Sequence, residues 1–276
     1  MELRETAKNM LTSCLAAKPG ETLLVITDDS RVKIGTAIYE AGKELGCEVM
    51  LLVMKEREVS GQEPPETVAA AMKAADIVVC PTAKSLTHTN ARINAVKAGA
   101  RIATMPGITE EMFSRGAMTA DYDEVEKLTA RVTALLTAAS EAVIEKDGCR
   151  LTLALAGRDG VPSPGVYREK GKSGNLPSGE AYIAPREDGS NGEMIIDGSM
   201  VGVGKLSTPL HVTVREGRLR AITALLLDPG AVVPLDRLFD EAKAIVRQIK
   251  AETGAAPTLK PNKEFDDALR ERLLAM

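Results

Sequence analysis

Few side chains of this sequence stand where their chemistry could be put to use. Glu180 is one: the Pro177-Ser178-Gly179 turn delivers it to the start of a short strand, and a turn entering a strand holds a carboxylate stiffly. Hard divalent cations favour oxygen ligands fixed in this way, although one carboxylate is not a metal site. The chain has only two histidines, His88 and His211. His88, in SLTHTNAR, opens a helix, and a helix N-terminus favours the neutral imidazole. It is a candidate proton acceptor or substrate contact; the plainer alternative is a polar residue beside an N-cap supplied by Thr87 or Ser85. His211 shares the polar face of a strand with Thr213 and Arg215, and with no second His or Cys at ligand spacing it is left unassigned. Asp28 and Asp29 could orient a substrate amine, but N-capping the helix that follows accounts for them.

Composition removes several classes of function. Hydrophobic residues are 44% and charged residues 27% of the 276, the balance of a folded protein with room for two domains. A net charge of -4 without a basic block, 3% aromatic residues and no Trp argue against nucleic-acid partners. The four cysteines, Cys14, Cys47, Cys80 and Cys149, form no CxxC pair and read as reduced thiols. An amphipathic, partly acidic N-terminus and the absence of a long apolar run predict a cytoplasmic protein with no membrane partner. No GxGxxG or GxxxxGK[ST] motif is present, which argues against dinucleotide or nucleoside triphosphate binding.

The elements that must position these residues fall into two patterns. An opening helix carries Leu3, Ala7, Met10, Cys14 and Leu15 at helical spacing. Strands are then predicted at 22–27, 47–54, 76–81 and 101–105, with helices after Asp28-Asp29-Ser30, at 65–75 and at 87–100. Unbroken apolar strands alternating with helices imply an open, doubly wound, Rossmann-like parallel sheet. Its ligand crevice lies outside the carboxyl ends of the strands, near Asp28, Asp29, Thr82 and 85–90. A long helix is predicted at 121–145, with Val125, Leu128, Val132, Leu135, Ala139 and Val143 inward. A strand at 150–156, an exposed loop at 157–174, a hairpin turning at Glu216-Gly217 and helices at 234–253 and from Lys263 follow. The fold class is therefore α/β, with the wound sheet in residues 1–115 and an α+β catalytic-type domain in residues 116–276.

NLPSGEAYIAP, followed by a small-residue loop with Asn191-Gly192, resembles the NLP-x-GE-x-x-x-AP segment of the M29 (aminopeptidase T) metallopeptidases. The resemblance spans nearly the whole chain. It implies a metal-dependent aminopeptidase, a hydrolase that acts on small peptides through two zinc or cobalt ions and assembles as a homodimer, with Glu180 as a metal ligand. The family's remaining ligands belong to segments beyond the last helix here, so the same resemblance implies an incomplete metal site and doubtful activity. A second branch of this architecture, the 2,5-dihydroxypyridine ring-cleaving dioxygenases, holds a single iron(II) with histidines and an aspartate, and SLTHTNARINAVKAGARI resembles both branches. In that branch His88 would be a base for an acidic aromatic substrate. A non-catalytic α/β module is the third expectation, and the peptidase stands first.

Overall fold

The structure is a computed structural model and describes residues 3–200, 204–206 and 208–224. The helices expected at 234–253 and from Lys263 lie outside the described residues. The chain divides into two compact units, residues 1–135 with 160–182 and residues 136–159 with 183–276.

The first unit opens with α1 (Leu3–Asn9), continued by a π-helical turn at Met10–Cys14. Then come β1 (Thr22–Asp28), α2 (Val32–Glu44), β2 (Glu48–Met54), α3 (Glu66–Ala74), β3 (Ile77–Thr82), α4 (Asn90–Lys97), β4 (Arg101–Pro106), α5 (Glu110–Ser114) and α6 (Tyr122–Ala138). The inner strands β1, β3 and β4 bury nearly every residue, which is why their apolar runs do not alternate, while the edge strand β2 leaves Met50 and Val53 exposed. Leu23, Val25, Ile77, Val79, Ala103 and Met105 pack with residues of α1 and α2 and with Phe113 and Tyr122. Leu24, Ile26, Val78, Cys80 and Ile102, on the alternate positions, pack with residues of α3 and α4. Helices thus cover both faces, as the doubly wound reading requires. Gly42 lets α2 approach the sheet closely: a Cβ there would lie 2.5 Å from Leu23 Cδ2.

Two expectations about the middle of the chain need correction. Helix α6 stops at Ala138, and Glu141–Lys146 forms β5 instead of a last helical turn. The chain reverses at Asp147-Gly148, both at positive φ (49° and 81°), straight into β6 (Cys149–Ala154). That is the primed two-residue turn of a tight hairpin, and its register fixes the strand. Of the stripe expected to face inward, Val125 packs against the core but Leu128 and Leu135 are 59% and 70% exposed, while Tyr122 and Thr129 are the buried positions.

The segment 157–174 is not an exposed loop throughout. It holds β7 (Val161–Ser163) and leads into β8 (Ser173–Asn175), which pairs in parallel with β4, and Tyr167 is buried in the core. Tyr167 N–H donates to Cys14 O (2.6 Å) and its hydroxyl donates to Asn175 O (2.7 Å). The Arg168 guanidinium pairs with Asp123 and Glu126 of α6. The sheet order is β2-β1-β3-β4-β8, a flavodoxin-type winding closed by a strand from late in the chain. β9 (Glu180–Tyr182) then pairs antiparallel with β7.

In the second unit β10 (Asn191–Ile196), β11 (Ser199–Met200), β12 (Gly204–Lys205), β13 (Leu210–Arg215) and β14 (Arg218–Ala224) follow. The main sheet is antiparallel, in the order β14-β13-β10-β6-β5. Its second hairpin turns at Glu216-Gly217, again with two positive φ values (52° and 67°). The expected α/β class is what the chain adopts, with a parallel five-stranded sheet followed by an antiparallel one.

Two stability predictions follow from this packing. A Cβ at Gly192, where φ is 130°, would lie 2.1 Å from Arg150 O. Gly192→Ala should therefore destabilise the protein by at least about 2 kcal/mol in denaturant unfolding, because backbone cannot yield as a side chain can. Burial alone pushes the Cys80 thiol up from 9.0 to about 12. The unfolded thiol loses its proton first, so above pH 9 the unfolded state binds fewer protons and stability falls as pH rises towards 12. Cys80→Ala should flatten that fall in unfolding measured across the alkaline range.

Candidate functional site

In an open wound sheet the ligand crevice lies beyond the carboxyl ends of the strands, at the point where the winding reverses. In the first unit that point is between β1 and β3. Asp28, the last residue of β1, is 1% exposed there. Its Oδ1 accepts from Ser30 N (3.2 Å) and Ser30 Oγ (2.6 Å), and its Oδ2 accepts from the backbone of Ala83, just past β3. This corrects the helix-capping reading: the N-cap of α2 is Arg31, without a side-chain cap bond. Asp28 ties together the strand ends on the two sides of the reversal point. Along the same edge, Thr27 Oγ1 donates to Pro81 O (3.0 Å).

The outer half of this edge carries a hydroxyl and amide cluster built by β4 and β8. Thr104 and Asn175 are paired in register, and Thr104 Oγ1 donates to Asn175 Oδ1 at 2.6 Å. Thr87 Oγ1, from the loop after β3, donates to the same oxygen at 2.8 Å, and Ser85 Oγ donates to Thr87 at 2.8 Å. As placed, the Asn175 amide turns its Oδ1 to the two hydroxyls and its nitrogen away from them, without a protein partner among the described residues. Asn175 opens the NLPSGE segment, two residues before the turn that was read for its chemistry. Thr104 and Thr87 carry no signal in the sequence beyond their place near strand ends.

His88 is exposed, in the turn that precedes α4. Neither Thr87 nor Ser85 caps that helix: Thr89 does, its Oγ1 accepting from Arg92 N at 3.3 Å. Glu180 is exposed at the first position of β9, and its backbone faces Ser163. Both lie in the first unit, His88 in the loop that follows the carboxyl end of β3 and Glu180 in the separate two-stranded sheet of β7 and β9. Among the described residues neither belongs to a group of three His, Cys, Asp or Glu side chains able to share a metal ion.

Such a group does exist in the second unit, at residues the sequence left unassigned. Cys149, Glu193 and His211 stand on β6, β10 and β13, and their ligand atoms all lie within 4.8 Å of one another. His211 Nε2 is 3.0 Å from Glu193 Oε2, and all three side chains are partly exposed. No signal of spacing could reveal this set, because sheet pairing alone brings the three strands together.

The amino-acid sequence matches the family model of NicX, 2,5-dihydroxypyridine 5,6-dioxygenase, over residues 2–229. The chain belongs to this dioxygenase family. A search of curated proteins by sequence found no match. Among solved structures the chain is similar to the 2,5-dihydroxypyridine dioxygenase of Pseudomonas putida KT2440, with a TM-score of 0.67 and 19% identity over 88% of this chain and 72% of that one. It is also similar to AmpT from Thermus thermophilus, with a TM-score of 0.57 and 14% identity over 89% of this chain and 74% of that one. These likenesses show the shared fold.

The family match overturns the leading expectation of an aminopeptidase, and with it the hydrolase and protease readings. The physical reason is that NLPSGE reports the end of β8 and the turn into β9, which belong to the architecture that the chain shares with both neighbours. A non-haem iron centre of the facial type takes two imidazoles and a carboxylate. The cluster on β6, β10 and β13 offers one imidazole, one carboxylate and a thiol, and the only other histidine, His88, lies in the first unit. The described residues do not make up that donor set.

Replacing Asp28 by Ala should cost about 2 kcal/mol in denaturant unfolding, since it leaves the Ala83 N–H and the Ser30 donors without their acceptor. Wild-type stability in that variant would show the bridge between β1 and β3 to be dispensable.

Proposed function

We propose that the protein is an oxygenase that opens the ring of 2,5-dihydroxypyridine or a close relative, using molecular oxygen and iron(II). The observation that carries this reading is the family match over residues 2–229. Iron(II) would supply the activation of oxygen and substrate.

The crevice edge of the first unit supports the substrate class. On the β4 and β8 side its polar groups are hydroxyls and one amide, which suit a small, flat, hydroxylated heterocycle. The unpartnered amide nitrogen of Asn175 can donate to a ring oxygen. His88, in the loop that follows β3, accepts the proton of a ring hydroxyl. Net, one oxygen molecule enters the ring as the bond between C5 and C6 opens. All four thiols are unpaired, which suits the reducing cytoplasm. Among the described residues no helix is long and apolar enough to cross a membrane.

The test is to load the full chain with iron(II) without oxygen, add 2,5-dihydroxypyridine, admit oxygen, and follow oxygen uptake with the loss of ring absorbance. Uptake and ring loss should be equimolar, and His88→Ala should lower turnover by about 10² or more. No oxygen uptake with this substrate or its ring-substituted analogues would sink the reading. Full turnover in the His88 variant would remove His88 from the chemistry.

A further inference from the structure

We propose that Cys149, Glu193 and His211 form a binding site for a borderline-soft divalent cation, with Zn²⁺ the preferred ion, separate from the ring-opening chemistry. Three facts of the second unit carry it.

The first is convergence. β6 and β13 flank β10, so they stand two strand spacings apart, roughly 9.5 Å at about 4.8 Å per spacing. The Cys149 and His211 ligand atoms nevertheless come within 4.8 Å of each other and of the Glu193 carboxylate. Side chains that simply stood upright on the sheet would leave the outer pair too far apart to share anything. The outer two lean over the central strand. Ligand atoms about 2.0–2.3 Å from a tetrahedral Zn²⁺ sit roughly 3.3–3.7 Å apart, so the set is near closure and only side-chain rotation is required.

The second is donor chemistry. Thiolate and carboxylate together neutralise a dication, and a neutral imidazole completes a sulfur, oxygen and nitrogen set. A thiolate disfavours Mg²⁺ and Ca²⁺, and one imidazole with one thiolate places Zn²⁺ above iron(II). On binding, the Cys149 thiol releases its proton to solvent as the sulfur–metal bond forms. The His211 to Glu193 hydrogen bond opens so that each turns a lone pair to the ion. Three protein ligands leave a fourth position for water, which the partial exposure of all three admits.

The third is that the scaffold is stiff and the cations beside Cys149 in the hairpin, Lys146 and Arg150, are ion-paired with Asp197 and Glu145. Each ligand sits on a paired strand, and Cys149 is the first residue after the tight Asp147-Gly148 turn. Lys146, its partner in the hairpin register, is ion-paired with Asp197. A simple His–Glu ion pair on a sheet face would explain 3.0 Å between those two, but not the approach of Cys149.

Cys14, Cys47 and Cys80 are buried, so alkylation of the native full chain reads Cys149. After chelation and removal of the chelator, Zn²⁺ should slow alkylation by iodoacetamide about tenfold or more, and added EDTA should restore it. Co²⁺ should bind in a 1:1 ratio with a thiolate charge-transfer band in the near ultraviolet. Cys149→Ser should abolish that band, and His211→Gln and Glu193→Gln should each weaken binding about tenfold or more. Unchanged alkylation of the wild type under Zn²⁺ overturns the site without recourse to any variant. So does Co²⁺ bound equally well by His211→Gln.

Discussion

The outer edge of β4 needs a partner, and the first unit is organised around how that need is met. A parallel strand buried on both faces cannot leave a row of backbone donors and acceptors open inside the molecule without paying their desolvation. Ser173–Asn175 supplies the missing ladder from far along the chain. Once that pairing forms, Leu176 enters the core, Tyr167 is pinned between Cys14 and Asn175, and Arg168 meets α6. Asn175 is thereby carried to the carboxyl edge beside Thr104 and Thr87. The polar character of that edge is a consequence of strand pairing before it is a matter of chemistry.

The same edge shows how two separate demands are met by neighbouring groups. At the reversal point between β1 and β3 the crevice would be an open seam; the buried Asp28 carboxylate closes it by accepting from both sides. That anchoring uses up both carboxylate oxygens, so Asp28 is a structural bridge and not an available base. Between β4 and β8 the anchoring is done by hydroxyls donating to one amide oxygen, which leaves the amide nitrogen over. Free hydrogen-bonding capacity therefore lies on the β4 and β8 side of the edge.

Much of the first unit was legible in the sequence because its signals are local. Unbroken runs such as Leu23–Ile26 and Ile77–Cys80 can only be strands covered on both faces, and the stripe Ile34, Ile38 and Ala41 can only be a helix with one buried side. The Glu216-Gly217 turn announced its hairpin in the same way. What escaped was non-local or overridden. Ser173-Gly174-Asn175 has no apolar residue and becomes a strand only because β4 needs it. Helical periodicity ran on past Ala138 into Val143, and the Asp147-Gly148 turn, a stronger signal than that periodicity, marks Glu141–Lys146 as a strand. Cys149 and His211 were each read singly and Glu193 not at all, because sheet pairing and not spacing brings the three strands together.

The turn that presents Glu180 shows why a motif can identify an architecture and misname its chemistry. Pro177, Ser178 and Gly179 are needed wherever the chain leaves β8 for β9, because the direction must reverse within a few residues; the pattern persists with the fold whatever the adjacent carboxylate does. Both solved neighbours share that fold with this chain at 19% and 14% identity, and the peptidase and dioxygenase branches place different reactions on it. The distinction has to come from groups whose types are not imposed by the backbone. Here those groups are an amide and hydroxyls at one sheet's edge and a sulfur, an oxygen and a nitrogen converging on another. A paired-metal hydrolase needs several carboxylates and imidazoles gathered on bridging ions. Among the described residues none gathers with Glu180 into a metal-binding group, so the stiff turn carries an exposed carboxylate, and it is the family match over residues 2–229 that places the chain on the dioxygenase branch.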